Sequence, residues 1–199
     1  MMNVSYKSSA GISIIPLETA RFMQREIYLT GAISCDKANL FFQQIMALVD
    51  ENNRLPITLI INSCGGDIDA GLQMIDTIEL CPAPIITICL GKCFSMAAVI
   101  LACGKKRYIL PDSEVMLHEP IVAGGNVAGN ISEINAISQT LSEKKKKIIM
   151  ILQKRTGKTP KTIAAAIENN RYYTADESNA FGITDQTIQN LEEINKTQT

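Results

Sequence analysis

The sequence predicts an α/β fold of repeated βαβ units, on three observations. The β-branched runs "REIYLTG" (25–31), "ITLIIN" (57–62) and "IITICL" (85–90) each end at Gly or Asn, as strands do. Two of them are almost wholly apolar, which suits strands buried on both faces. Between them, "CDKANLFFQQIMALVDEN" and "DIDAGLQMIDTIEL" carry apolar residues at helical spacing, with Asp near each start. Strand alternating with helix implies parallel pairing.

Further along, "KRYIL" and "EVMLH" form a pair of short strands around the turn "PDS". A long helix is predicted from Asn130 to Arg155, where Ile134, Ile137, Leu141, Ile148 and Ile151 keep one stripe apolar and Gly157 closes the C-terminus. Its "EKKKK" run is a solvated face. A short helix over "KTIAAAIEN", a strand at "RYYT" and a last helical turn at "ADESNAFG" follow, and the polar tail 186–199 is expected to fray. At 199 residues and 46% hydrophobic, with no Pro/Gly/Ser-rich linker, residues 1–199 constitute a single domain with one core.

Composition narrows the function. A net charge of −1 gives no long-range attraction to nucleic acid or an anionic membrane. No 18-residue apolar run and no signal-type apolar segment occur, so a cytoplasmic protein is expected. The six cysteines follow no C-x-x-C pattern and mostly lie in or beside apolar segments, as buried thiols do. With one His, no metal site is expected. Gly157-Lys158-Thr159 is not a phosphate-binding loop, since Leu152 stands where its first Gly belongs. No cofactor is expected, and any ATP dependence must come from a partner.

The chemistry centres on "GKCFSMAAVILACG" (91–104), which sets Ser95 at a strand-to-helix junction within small apolar residues. A hydroxyl becomes a nucleophile when a base takes its proton and donors stabilise the oxyanion. His118, at the end of "EVMLH", is the only imidazole available. Taken alone, a single His is more often a surface or core residue. Gly65 and Gly66 in "INSCGGD" let backbone N–H groups approach a substrate, although an ordinary turn has the same look. The N–H of Met96, at a helix start, is a second candidate donor.

Taken in order, "INSCGGDIDAGLQMIDTIEL", "GKCFSMAA", "LPDSEVMLHEP" and "RYYTADESNAFGITD" resemble the signature segments of the Clp protease proteolytic subunit family, ClpP, from about Arg25 to Asp185. The family's usual forms are N-S-P-G-G, G-x-A-A-S-M and H-Q-P. The resemblance implies a ClpP/crotonase-type fold with a protruding helix-and-strand handle over about 121–157 and an N-terminal segment, 1–20, serving as an axial loop. It implies Ser95 as nucleophile, His118 as general base, the N–H groups of Gly66 and Met96 as oxyanion hole, and Ile68 and Ile121 flanking an extended peptide that adds as a strand. Expected partners are further copies in heptameric rings, a paralogous subunit, a hexameric AAA+ Clp ATPase, and unfolded protein or peptide as substrate.

Aligning "NNRYYTADE" on the family's D-R-F-like segment puts Asn170 where the third triad member is an Asp. An Asn can accept from Nδ1–H but brings no charge. Asp176 is the other acid that could serve. Asn169 stands where many relatives carry an Arg that crosses the ring interface, Cys64 replaces the motif's Pro, and Glu119 replaces the Gln after the His. Two functions follow: a serine peptidase weak as a homomer, or a mainly structural ring subunit beside an active paralogue. A crotonase-type acyl-CoA enzyme shares the fold but has no use for a paired Ser95 and His118.

Overall fold

A computed structural model describes residues 2–8, 11–122, 129–190 and 192–193. An antiparallel hairpin, β1 (Asn3–Ser8) and β2 (Gly11–Pro16), leads into α1 (Leu17–Met23). The mixed sheet then builds through β3 (Glu26–Thr30), α2 (Cys35–Glu51), β4 (Ile57–Ser63), α3 (Ile68–Leu80), β5 (Ile85–Phe94), α4 (Met96–Ala102), β6 (Lys106–Ile109) and β7 (Glu114–Leu117). Helices α5 (Ile131–Thr156) and α6 (Pro160–Ile167), β8 (Arg171–Tyr173), α7 (Ala175–Phe181) and β9 (Gln186–Thr187) complete the described chain.

The sheet runs β3-β4-β5-β6-β9, all parallel, with β7 parallel to β5 and β8 antiparallel to β7. This is the α/β architecture of βαβ units that the alternating pattern predicts. Helix starts are fixed by side chains: Ser34 caps α2, and Asp67 caps α3 by accepting from Ala70 N–H at 2.7 Å. Gly157 ends α5 in the left-handed conformation at φ 70°, which a glycine adopts without Cβ strain. Helix α4 is buried along its whole length between the sheet and the helical layer, so its seven apolar residues form the centre of the core.

Two of the expectations are revised, that the chain frays from residue 186 and that Cys64 is buried. The N-terminal segment 1–20, expected to serve as an axial loop, holds the paired strands β1 and β2 and the start of α1, with Ile12 and Ile14 exposed. The chain after Asp185 does not fray at once, because β9 pairs with β6 and Ile188 is buried among Ile60, Ile86 and Ile88. Cys64 is exposed, as is Cys35, while Cys89, Cys93 and Cys103 are buried as expected. Burial raises the Cys103 thiol to about 12, leaving it unreactive. In the handle segment, α5 is present and its first ten residues, 131–140, are all exposed, whereas 123–128 lie outside the described residues.

Candidate active site

The site is made by a strand that changes partner. From Ile86 to Cys89, β5 pairs with β6; at Gly91, with φ 80°, it bends, and from Lys92 to Phe94 it pairs with β7. Ser113 holds the bend by accepting from Gly91 N–H at 2.8 Å and donating to the Cys89 carbonyl at 3.3 Å. The second ladder ends in register at Phe94 and Met116, so Ser95 and His118 emerge side by side at the carboxyl ends of two neighbouring strands. Ser95 N–H donates to the Met116 carbonyl at 2.8 Å, which locks the junction.

Ser95 has φ 56° and ψ −126°, a conformation a side chain rarely adopts. That backbone turns the chain sharply from β5 into α4 and throws the hydroxyl forward. Its Oγ lies 2.6 Å from His118 Nε2, and in the tautomer that carries its proton on Nδ1 the hydroxyl donates to Nε2. Burial pushes the His118 imidazole below its ordinary value, and the neighbouring Glu119 carboxylate opposes that shift. A depressed value keeps the ring neutral, hence basic, at neutral pH.

The glycine turn lies against this junction. A Cβ on Gly65 would stand 2.7 Å from the Phe94 carbonyl and 2.8 Å from Ser95 Cβ, and one on Gly66 would run into the Ile33 backbone. Neither Gly66 N–H nor Met96 N–H has a hydrogen-bond partner among the described residues. Two free donors beside a hydroxyl held by a base can stabilise a developing oxyanion. Ile68, the first residue of α3, lines a pocket of about 20 Å³ with Ser95, Met96, Val99, Leu117 and His118, closed by Pro120, Ile148 of α5 and Ile167 of α6. Ile121 does not line it and is 59% exposed. Nothing in the sequence assigns the closing residues to the site: Ile148 reads as part of the apolar stripe of the long helix and Ile167 as one more core position.

Asn170 is less engaged. Residues 117 and 171 pair across β7 and β8, and extending that register by one sets Asn170 opposite His118. The Asn170 side chain is exposed and makes no hydrogen bond among the described residues, and none reaches His118 Nδ1. Asp176, in the exposed first turn of α7, makes none either. Among the described residues no three His, Cys, Asp or Glu side chains cluster as a metal ion would require.

A family model described as Clp protease matches residues 14–191. The chain belongs to the Clp protease family. The match spans everything from the second half of β2 to the tail and includes every residue of the Ser95 site, so the family's peptidase class applies to the domain as a whole. Chains of the Clp protease family generally form rings and work with Clp ATPases. Among the described residues no helix is long and apolar enough to cross a membrane.

Proposed function

We propose that this chain is a Clp-type serine endopeptidase subunit that hydrolyses peptide bonds of unfolded proteins inside an oligomeric chamber. The observation that carries this reading is the 2.6 Å contact between Ser95 Oγ and His118 Nε2 beside two unpartnered N–H groups. Ser95 Oγ attacks the scissile carbonyl as its proton passes to His118 Nε2, and the N–H groups of Gly66 and Met96 hold the oxyanion. The same proton then goes to the leaving amine. Water, deprotonated by His118, releases the acyl group and restores the hydroxyl. An extended substrate would lie between Ile68 and Ile121, bonded through its backbone.

In this reading the homomer is weakly active, because Asn170 replaces the carboxylate that would fix the His118 tautomer and stabilise the imidazolium. A serine protease losing the corresponding charge slows about 10⁴-fold. Assembly as face-to-face heptameric rings, docking of a hexameric Clp ATPase and a cytoplasmic location belong to the same proposal.

One feature supports a second reading, a structural or regulatory ring subunit partnering an active paralogue: the exposed Asn170 makes no hydrogen bond to His118. The deciding experiment is hydrolysis of a short fluorogenic peptide by the purified chain and by Asn170→Asp, with assembly mass recorded in the same buffer. A rise of about a hundredfold or more at constant mass supports the peptidase. Two inactive variants in a full double ring, with Ser95 unlabelled by a fluorophosphonate, would overturn it in favour of the structural role.

A further inference from the structure

The depression beside Ser95 is small for a site that takes a peptide side chain. Its volume of about 20 Å³ has room for one group the size of a water molecule or a methyl. The half-buried Ser95, His118, Ile68 and Pro120 rim it. Its walls are Met96 and Val99 of α4 and Leu117 of β7, closed by Ile148 of α5 and Ile167 of α6. None of these wall residues is more than 5% exposed and all belong to the main core, so the walls are packed from behind.

We propose that this depression receives the side chain of the residue whose carbonyl Ser95 attacks, and that Ile148 and Ile167 restrict that residue to the size of alanine, so that the chain cleaves after alanine in preference to leucine or phenylalanine. This rests on Ser95 and His118 acting as nucleophile and base. The attacked carbon must come against Ser95 Oγ with its oxygen toward the N–H groups of Gly66 and Met96, and the leaving amine must face His118, which protonates it. The side chain on the acyl side then enters the depression, whose inner wall is the helix turn that follows the nucleophile. Leucine carries an isopropyl group beyond the methyl of alanine, and seating it would displace packed core side chains. Apart from Ser95 and His118 the lining is apolar, so a charged or amide side chain would be buried without a partner. The grooves of about 370 Å³ against α5 and about 540 Å³ between α2 and α3 include neither Ser95 nor His118, and they offer a bulky acyl-side residue no relief.

Peptides that differ only in the residue joined to a coumarin leaving group read the acyl side alone. Wild type and Asn170→Asp are assayed with alanine, valine, leucine and phenylalanine at that place. Peptidyl diphenyl phosphonates with the same side chains, which attach to Ser95, give the ranking where turnover is slow. Alanine should exceed leucine and phenylalanine at least about tenfold in kcat/KM and in labelling rate. Ile148→Val and Ile167→Val each remove a methylene from the closure, and each should raise the leucine-to-alanine ratio about tenfold. Should one of them fail to assemble, the other carries the same comparison. Leucine equal to or faster than alanine in the wild type overturns the size limit and leaves the peptidase reading in place. An unchanged ratio in the valine variants overturns it too, since the isoleucines then do not set the limit. If no peptide is hydrolysed and no phosphonate labels Ser95, the peptidase reading falls and the size limit with it.

Discussion

His118 is half-buried at the end of β7, with burial lowering its proton affinity and Glu119 raising it. Because the lowering dominates, the acid limb of peptide hydrolysis should have its midpoint below the ordinary imidazole value of about 6.5, with activity rising as pH passes it. Asn170→Asp adds a carboxylate opposite the ring, so its acid limb should move upward while its plateau rises. A pH series of kcat/KM on both proteins checks the two directions. Ser95, His118 and Gly66 were legible in the sequence because each needs a residue type that the motifs carry in order. Asn170 was legible as a position, since no gap falls between it and β8, but not as an exposed side chain without a hydrogen bond. Motifs also could not show which apolar residues close the pocket: Ile148 and Ile167 come from helices whose packing angles, not their periodicity, bring them to Ser95.

At the scale of elements, a core strand followed by a core helix positions the nucleophile. The run "IITICL" reads as a strand ending at Gly91, yet β5 continues to Phe94, because that glycine serves as a bend between two ladders. Glycine marks a stop and a bend alike, so the sequence cannot distinguish them. The hairpin β1–β2 escaped notice because its exposed alternation has no buried face to reveal it, and β9 because two residues carry no period. The junction between α3 and α4 is tight: a Cβ on Gly71 would press into the Met96 side chain, reaching 2.9 Å from its Cε. Gly71→Ala should therefore destabilise the domain by about 1–2 kcal/mol despite the better helix propensity of Ala. Displacing Met96 also moves a proposed oxyanion donor, so kcat should fall about tenfold or more while the fold persists. Thermal unfolding and peptide hydrolysis on one preparation check both.

For the whole molecule, the stability of one copy and the assembly of many are separate matters. Helix α5 anchors its C-terminal half through Ile148 and Leu152 in the core and through Lys154 and Arg155, which both bind Glu79. Its N-terminal half leaves Ile131, Ile134 and Ile137 exposed, an apolar stripe unusual on a free surface. In the proposed double ring this stripe is covered by the opposite ring. The double variant Ile134→Glu with Ile137→Glu should then yield single rings or smaller species, with the melting of each copy little changed; native mass and thermal unfolding test this. The strained backbone at Ser95 also bears on the stability of each copy. Holding a side chain in that conformation costs about 1–3 kcal/mol, a substantial share of a typical folding stability of about 5–15 kcal/mol. Glycine would occupy the same turn at ease. Ser95→Gly should therefore melt higher than the wild type while losing the hydroxyl that the proposed peptidase needs.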